Sequence, residues 1–110
     1  ELPVIAMNVY DIPEAITHME NGILIEGHKD MKYYTKTNMP NDYSWRFVSD
    51  MKRYSNHIIS QLEHYFEKLI EDSSLRNKLA REARKTIETG KLSIEKRNRD
   101  LGEIFESATK

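Results

Sequence analysis

Cysteine is missing from all 110 residues. Its absence excludes disulfides, thiolate zinc sites and cysteine nucleophiles together, and it fits a reducing compartment. An excess of charge of either sign is missing too. Lys and Arg number 17 against 18 Asp and Glu, so the overall field draws neither nucleic acid nor an acidic substrate. No apolar run approaches the roughly 18 residues of a transmembrane span, and no basic stretch opens the chain as in a signal peptide. A soluble, cytoplasmic domain is the expectation. Glycine and proline are scarce, at four and three, and Pro13, Gly22, Pro40 and Gly90 read as a helix start, a turn, a loop residue and a helix stop. Glu1, not Met, comes first, with Leu2-Pro3-Val4-Ile5-Ala6 directly behind it. Chain ends generally fray unless pinned, so a strand this early suggests a piece of a longer chain.

What is present divides into three stretches within one partial domain. Residues 1–27 read as strand, helix, strand. Val4 to Val9 is a continuous apolar run with β-branched residues, the pattern of a strand covered on both faces. Pro13 fits a first helical turn, where its missing N–H costs nothing, and Glu14 suits the positive end of the helix dipole. Asn21-Gly22 supplies a turn tolerant of positive φ, and Ile23-Leu24-Ile25 forms the second strand. Parallel strands joined through one helix are the unit of doubly wound folds.

Residues 28–46 show no sustained period and collect Asn, Asp, Ser, Thr and Pro40. They read as a surface loop or insertion with its tyrosines and Trp45 packed down as anchors. Residues 47–110 read as three helices. Phe47, Met51, Tyr54, Ile58, Leu62, Tyr65 and Leu69 form a stripe widened by Ile59, Phe66 and Ile70, predicting one long helix to about Glu71. Asp72-Ser73-Ser74 caps the next, whose stripe is Leu75, Leu79, Ala83 and Ile87, and Gly90 stops it in the left-handed conformation. Ser93 caps the last, carrying Ile94, Leu101, Ile104, Phe105 and Ala108.

Few residues suggest chemistry by type and spacing. His57 and His64 fall on one helical face, yet no third ligand has the spacing to join them, so no metal site is expected. Lys78, Arg81, Arg84, Lys85, Lys91, Lys96, Arg97 and Arg99 make the C-terminal part locally basic. Glu82, Glu88, Glu95, Asp100, Glu103 and Glu106 interleave with them. A solvated face laced with ion pairs explains this better than a nucleic-acid surface, and no recognition-helix signature is present. A helical protein-protein interaction module, with the Phe47 to Ile70 stripe as its surface, is a further alternative.

Two stretches in the correct order carry a resemblance. "PVIAMNVYDIPEAITHMENGILI" resembles, without a gap, the part of GT-B retaining glycosyltransferases that runs Pro-Val-Val-Ala, a short turn, Gly-Gly-Ile-Pro-Glu, then Asn-Gly-Leu-Leu-Val. "KLIEDSSLRNKLAREARKTIETGKLSIEKRNRDLGEIF" is similar to that family's C-terminal pattern of Leu-x-x-Asp, a Leu-Arg pair, an Ala-Arg, a Ser-containing turn and a final apolar helix. Together they cover about 60 residues.

The resemblance implies an α/β fold: the C-terminal half of a Rossmann-like (GT-B) domain, two parallel strands followed by three helices. It implies a parent enzyme that moves a sugar from a nucleotide-diphosphate donor to an acceptor hydroxyl, with no cofactor. Ligands of open α/β sheets bind beyond the carboxyl ends of the strands, which places the Asn8 to Pro13 turn near the cleft. Tyr10, Asp11 and Glu14 are therefore the candidate donor- or acceptor-binding residues, though Asp11 as a turn former and Glu14 as a first-turn acid have plainer roles. No catalytic residue is assigned. The family's Glu-x7-Glu pair and its phosphate-binding loop lie upstream of this strand, so the segment alone is expected to be inactive. Tyr10 and Asp11 stand where the family has its glycine pair, Glu1 stands where a glycine usually precedes the Pro-Val strand, and the stretch from about Gly27 to Tyr54 exceeds the family's usual connection. Two parallel strands make no independently stable sheet, so self-association is expected, by edge pairing or exchange of the N-terminal unit.

Overall fold

The computed structural model describes residues 1–31 and 43–109. The chain is mixed α/β, two parallel strands and then helices, and mostly helical. Strand β1 (Ile5–Met7) pairs with β2 (Ile23–Ile25) in register Ile5 with Ile23, Ala6 with Leu24 and Met7 with Ile25. Between them lies α1 (Ile12–Ala15), with Pro13 in its first turn where no amide is needed. A 3₁₀ turn spans Lys29–Met31. Four helices follow: α2 (Tyr43–Arg53), α3 (Ser55–Glu71), α4 (Ser73–Glu88) and α5 (Ile94–Thr109).

The expected long helix from Phe47 is thus two helices, and the expected three C-terminal helices are four. Tyr54 sits between α2 and α3 with φ −106° and ψ 20°, and its ring stacks on His28 with centroids 4.0 Å apart. The break lets each helix serve a different cluster. Phe47, Met51 and Tyr54 pack on Val9 and Met31. Tyr65 and Leu69 of α3 pack with Ile23 of β2 and Leu79 of α4. A single straight helix could not present one stripe to both clusters.

Other apolar stripes are narrower than the spacing suggested. β2 is buried throughout, whereas β1 is only half-buried and Val4 before it is exposed. Ile59, Phe66 and Ile70 face away from the α3 core stripe of Ile58, Tyr65 and Leu69 and are exposed. On α4 the buried pair is Leu79 and Ala80, while Ile87 is exposed. A sheet of two strands offers too little surface to cover a wide face on each helix. Trp45, expected to anchor the loop, is 82% exposed. The side chains of Tyr33, Tyr34 and Tyr43 lie outside the described residues.

The caps form where Asp and Ser allow them. Asp72 accepts from the Leu75 amide at 2.9 Å, and buried Ser93 accepts from the Lys96 amide at 3.2 Å. Arg76 reaches back from α4 to the Leu69 carbonyl at 2.7 Å, satisfying an end of α3. Gly90, in contrast, is not left-handed, because no glycine has positive φ. It is needed for space: a Cβ there would stand 2.9 Å from Thr86 Cα. The same holds at Gly22, where a Cβ would meet Ile16 Cγ2 at 2.9 Å and the Val4 carbonyl at 3.2 Å. Positive φ occurs instead at Tyr10 (54°) and Met19 (64°).

The two edges of the sheet differ. On the outer side of β2, the Leu24 amide donates to His18 Nδ1 at 3.0 Å, the Gly22 carbonyl accepts from Met19, and Gln61 of α3 takes both the amide and the carbonyl of Glu26. The side chains of His18 and Gln61, with the Met19 backbone amide, therefore stand in for a neighbouring strand there. Among the described residues no helix is long and apolar enough to cross a membrane.

Candidate functional site

A parallel pair brings the carboxyl ends of both strands to one edge, and the first residues past those ends are polar. Asn8 follows β1, Glu26 follows β2, and Asn8 Nδ2 donates to Glu26 Oε1 at 2.8 Å. Gln61 fixes the backbone at Glu26, so this carboxylate leaves the sheet from a held position. The chain then turns through Gly27 and His28, whose carbonyl accepts from the Met31 amide at 2.7 Å.

These residues enclose a small cavity of about 150 Å³ lined by Asn8, Val9, Glu26, Gly27, His28, Lys29 and Met31. Val9 and Met31 give it an apolar floor, both being buried. Among the other lining residues, Asn8, Glu26, His28 and Lys29 carry an amide, a carboxylate, an imidazole and an ammonium group. Such a set can donate to and accept from hydroxyls, and Lys29 adds one positive charge suited to an anionic group. His28 is oriented by Tyr54 beneath it and by His57, whose ring meets it edge-on at 5.8 Å. Arg53 lies 5.5 Å from the Tyr54 ring on the same stack.

The three residues singled out in the sequence lie on the turn beside this cavity, and none lines it. Tyr10 holds the left-handed conformation and packs on Phe47 with ring centroids 5.6 Å apart. Asp11 occupies the cap position of α1, but its side chain makes no cap hydrogen bond; its backbone carbonyl accepts from the Glu14 amide at 3.0 Å. Glu14 is exposed in the first turn of a four-residue helix. Asn8 is the one polar residue within the Val4 to Val9 stretch and marks where β1 ends at Met7, and Glu26 is the first polar residue after β2. Gln61 carries no such signal, because its partner is 35 positions away.

His57 and His64 turn to different partners, His57 to His28 and His64 to Tyr65 at 5.0 Å. Among the described residues no three His, Asp or Glu side chains gather as a metal would require. The basic residues of α4 are partly taken up by acids: Arg84 contacts Glu88 at 2.6 Å and Glu1 at 3.5 Å. The hydrogen bond to Glu88, then the charges of Glu88 and Glu1, hold the Arg84 pKa above its ordinary value.

Two larger grooves differ in character from the strand-end cavity. One of about 410 Å³ on α2 is lined by Phe47, Val48, Met51, Lys52 and Ser55 and is mostly apolar. The other, about 350 Å³, lies between the turn at Thr17 to Asn21 and the end of α4, where Glu20 and Glu82 stand against Lys85 and Lys91. Neither gathers polar groups at the strand ends. No family model matches the chain, and neither does any curated protein or solved structure.

Proposed function

We propose that this chain is the C-terminal segment of a retaining glycosyltransferase, one that moves a sugar from a nucleotide diphosphate to an acceptor hydroxyl, and that it forms one wall of the donor cleft. The observation that carries this is the backbone at Tyr10. Its φ of 54° is a conformation that glycine adopts freely and tyrosine does not. Tyr10 stands where the resembling pattern has a glycine, in the turn between the end of β1 at Met7 and the Ile-Pro-Glu that starts α1. A strained residue at the carboxyl end of a parallel strand is where α/β proteins bind ligands. The neighbouring rim of Asn8, Glu26, His28 and Lys29 has the mixed donors and acceptors that sugar hydroxyls and a phosphate need.

Catalysis is not assigned to this segment. Tyr10 and Asp11 fill space that glycines leave open, and the paired glutamates of the family have no counterpart in the described part of the cavity. The test is to read and express the coding region together with whatever precedes Glu1, and to assay hydrolysis of UDP-glucose and GDP-mannose. A glycosyltransferase requires Glu-x7-Glu shortly before Pro3 and loss of turnover when either glutamate becomes glutamine. An upstream region without that pair overturns the proposal. A second reading, a helical interaction module, is favoured by one observation: α5 carries an apolar stripe and buries none of its residues.

A further inference from the structure

The outer side of β1 is finished differently from that of β2. Successive residues of a strand turn their amide and carbonyl to opposite sides. The Val4 carbonyl accepts from the Ile23 amide at 2.8 Å, and the Asn8 amide donates to the Ile25 carbonyl at 2.9 Å, so Val4, Ala6 and Asn8 face β2. Pro3, Ile5 and Met7 face outward. Pro3 has no amide hydrogen, and the Met7 carbonyl already accepts from the Val9 amide at 2.9 Å. What the edge still offers is the Pro3 carbonyl, both groups of Ile5 and the Met7 amide. Among the described residues none of these four has a hydrogen-bond partner.

This edge carries little that repels another strand. No charged residue stands between Leu2 and Met7, and Leu2 and Val4 are 81% and 41% exposed. Open backbone groups on an uncharged apolar strand are a template for strand pairing. We infer that β1 pairs antiparallel with β1 of a second copy of this chain about a two-fold axis at Ile5, making a four-stranded sheet in the order β2-β1-β1-β2.

The order of donors and acceptors selects both the occupant and the register. With the axis at Ile5, the two copies of Ile5 exchange both their bonds, and each Met7 amide meets the Pro3 carbonyl of the second copy. The one donor the edge lacks, at Pro3, lies opposite the one acceptor it has already used, at Met7. The edge is thus its own complement, with every group it offers paired. Shifting the axis to Val4 sets each Ile5 carbonyl against a Pro3 nitrogen and leaves it without a donor. Shifting it to Ala6 sets each Ile5 amide against the engaged Met7 carbonyl. On the open face, the axis at Ile5 puts Val4 beside Ala6 of the second copy, large beside small. The transferase proposal is tested on what precedes Glu1 and this inference on the 110-residue chain by itself, so each fails by its own experiment.

Two short strands make a small interface, so the full chain is expected to sediment as a monomer at about 10 μM and as a dimer at about 1 mM. Hydrogen exchange at the Ile5 and Met7 amides should slow about tenfold over that range, while the Ala6 amide, which faces β2, is protected already at the lower concentration. Because the chain has no cysteine, introduced thiols report the register. Under oxidised glutathione, a mixture of Val4→Cys and Ala6→Cys chains should cross-link about tenfold faster than either chain alone, since only the mixed pair lies directly opposite. Pro3→Ala restores the missing amide and should speed the linking of Val4→Cys alone. Val4→Lys charges the edge and should leave a monomer at about 1 mM. Val4 is exposed and Ala6→Cys adds only a sulfur, so the fold is kept, and circular dichroism verifies it. A monomer at millimolar concentration overturns the inference. So does Val4→Cys or Ala6→Cys linking alone as fast as the mixture, which is another register, or a dimer with unchanged exchange at Ile5 and Met7, which is pairing through another surface such as α5.

Discussion

Asn21 and Thr86 lie 65 positions apart, and Asn21 Nδ2 donates to Thr86 Oγ1 at 3.0 Å. The same amide donates to the Ala15 carbonyl at 3.0 Å, and its oxygen accepts from the Thr17 amide at 2.8 Å. One buried side chain, 7% exposed, thus closes the turn before β2 and fastens it to the last turns of α4. Thr86 in turn donates to the Glu82 carbonyl at 2.8 Å, so the link is held at both ends.

Asn21→Ala is expected to cost about 2 kcal/mol, because it removes three part-buried hydrogen bonds at once, those to the Thr17 amide, the Ala15 carbonyl and Thr86. Thr86→Val removes the bond from Asn21 and the one to the Glu82 carbonyl while keeping the volume, and since the Asn21 turn bonds stay, only about 1 kcal/mol is expected. Urea unfolding followed by circular dichroism gives both values. Equal effects would show that the Asn21 turn bonds carry no more than the link to α4.

The glycines separate by the space around them. Gly22→Ala should destabilise by about 1–3 kcal/mol through overpacking, since its new Cβ would press on Ile16 and the Val4 carbonyl. Gly102, inside α5, has nothing within 4 Å of the Cβ position. Gly102→Ala should therefore stabilise by about 0.5–1 kcal/mol, the helix-propensity difference. Midpoints compared at one protein concentration test the opposite signs.

Pro13 at the start of α1 and the Asp72 and Ser93 caps were legible in the sequence because each depends on neighbours within a few positions, and the parallel strand pair because both strands are short apolar runs on either side of one helix. The break at Tyr54 was not. Phe47 to Leu69 keep helical spacing straight through it, and only the stacking of Tyr54 on His28, far away in sequence, shows why the axis changes. Asn21-Gly22 was legible as a turn but for the wrong reason. Its side-chain bonds and close packing, not positive φ, make it. At the candidate site, Asn8 interrupts the Val4 to Val9 stretch and Glu26 follows Ile23-Leu24-Ile25, whereas the Gln61 clamp has no local signature.

His18 completes the outer side of β2 by accepting from the Leu24 amide, while its ring meets Tyr65 edge-on at 5.7 Å. His18→Phe keeps an aromatic ring and removes the acceptor. A loss of about 1–3 kcal/mol is expected from the unpaired amide, with faster hydrogen exchange at Leu24 in particular. His64→Phe, whose imidazole is exposed and has a ring contact only to Tyr65 among the described residues, should stay within about 0.5 kcal/mol. Unchanged exchange at Leu24 in His18→Phe would remove His18 from the edge.

Tyr10 gives the sharpest test of backbone against side chain. Its ring packs on Phe47, so either small substitution loses that contact. Alanine keeps the cost of a left-handed residue, and glycine does not. Tyr10→Gly is therefore expected to be more stable than Tyr10→Ala by about 1 kcal/mol, although glycine ordinarily loses more entropy on folding. Tyr10→Asn should fall between them, since asparagine tolerates this conformation better than alanine. Chemical denaturation of the three variants decides it. If Tyr10→Ala equals or exceeds Tyr10→Gly, the turn after β1 has no need of a left-handed residue, and the correspondence with a glycine at this position loses its physical basis.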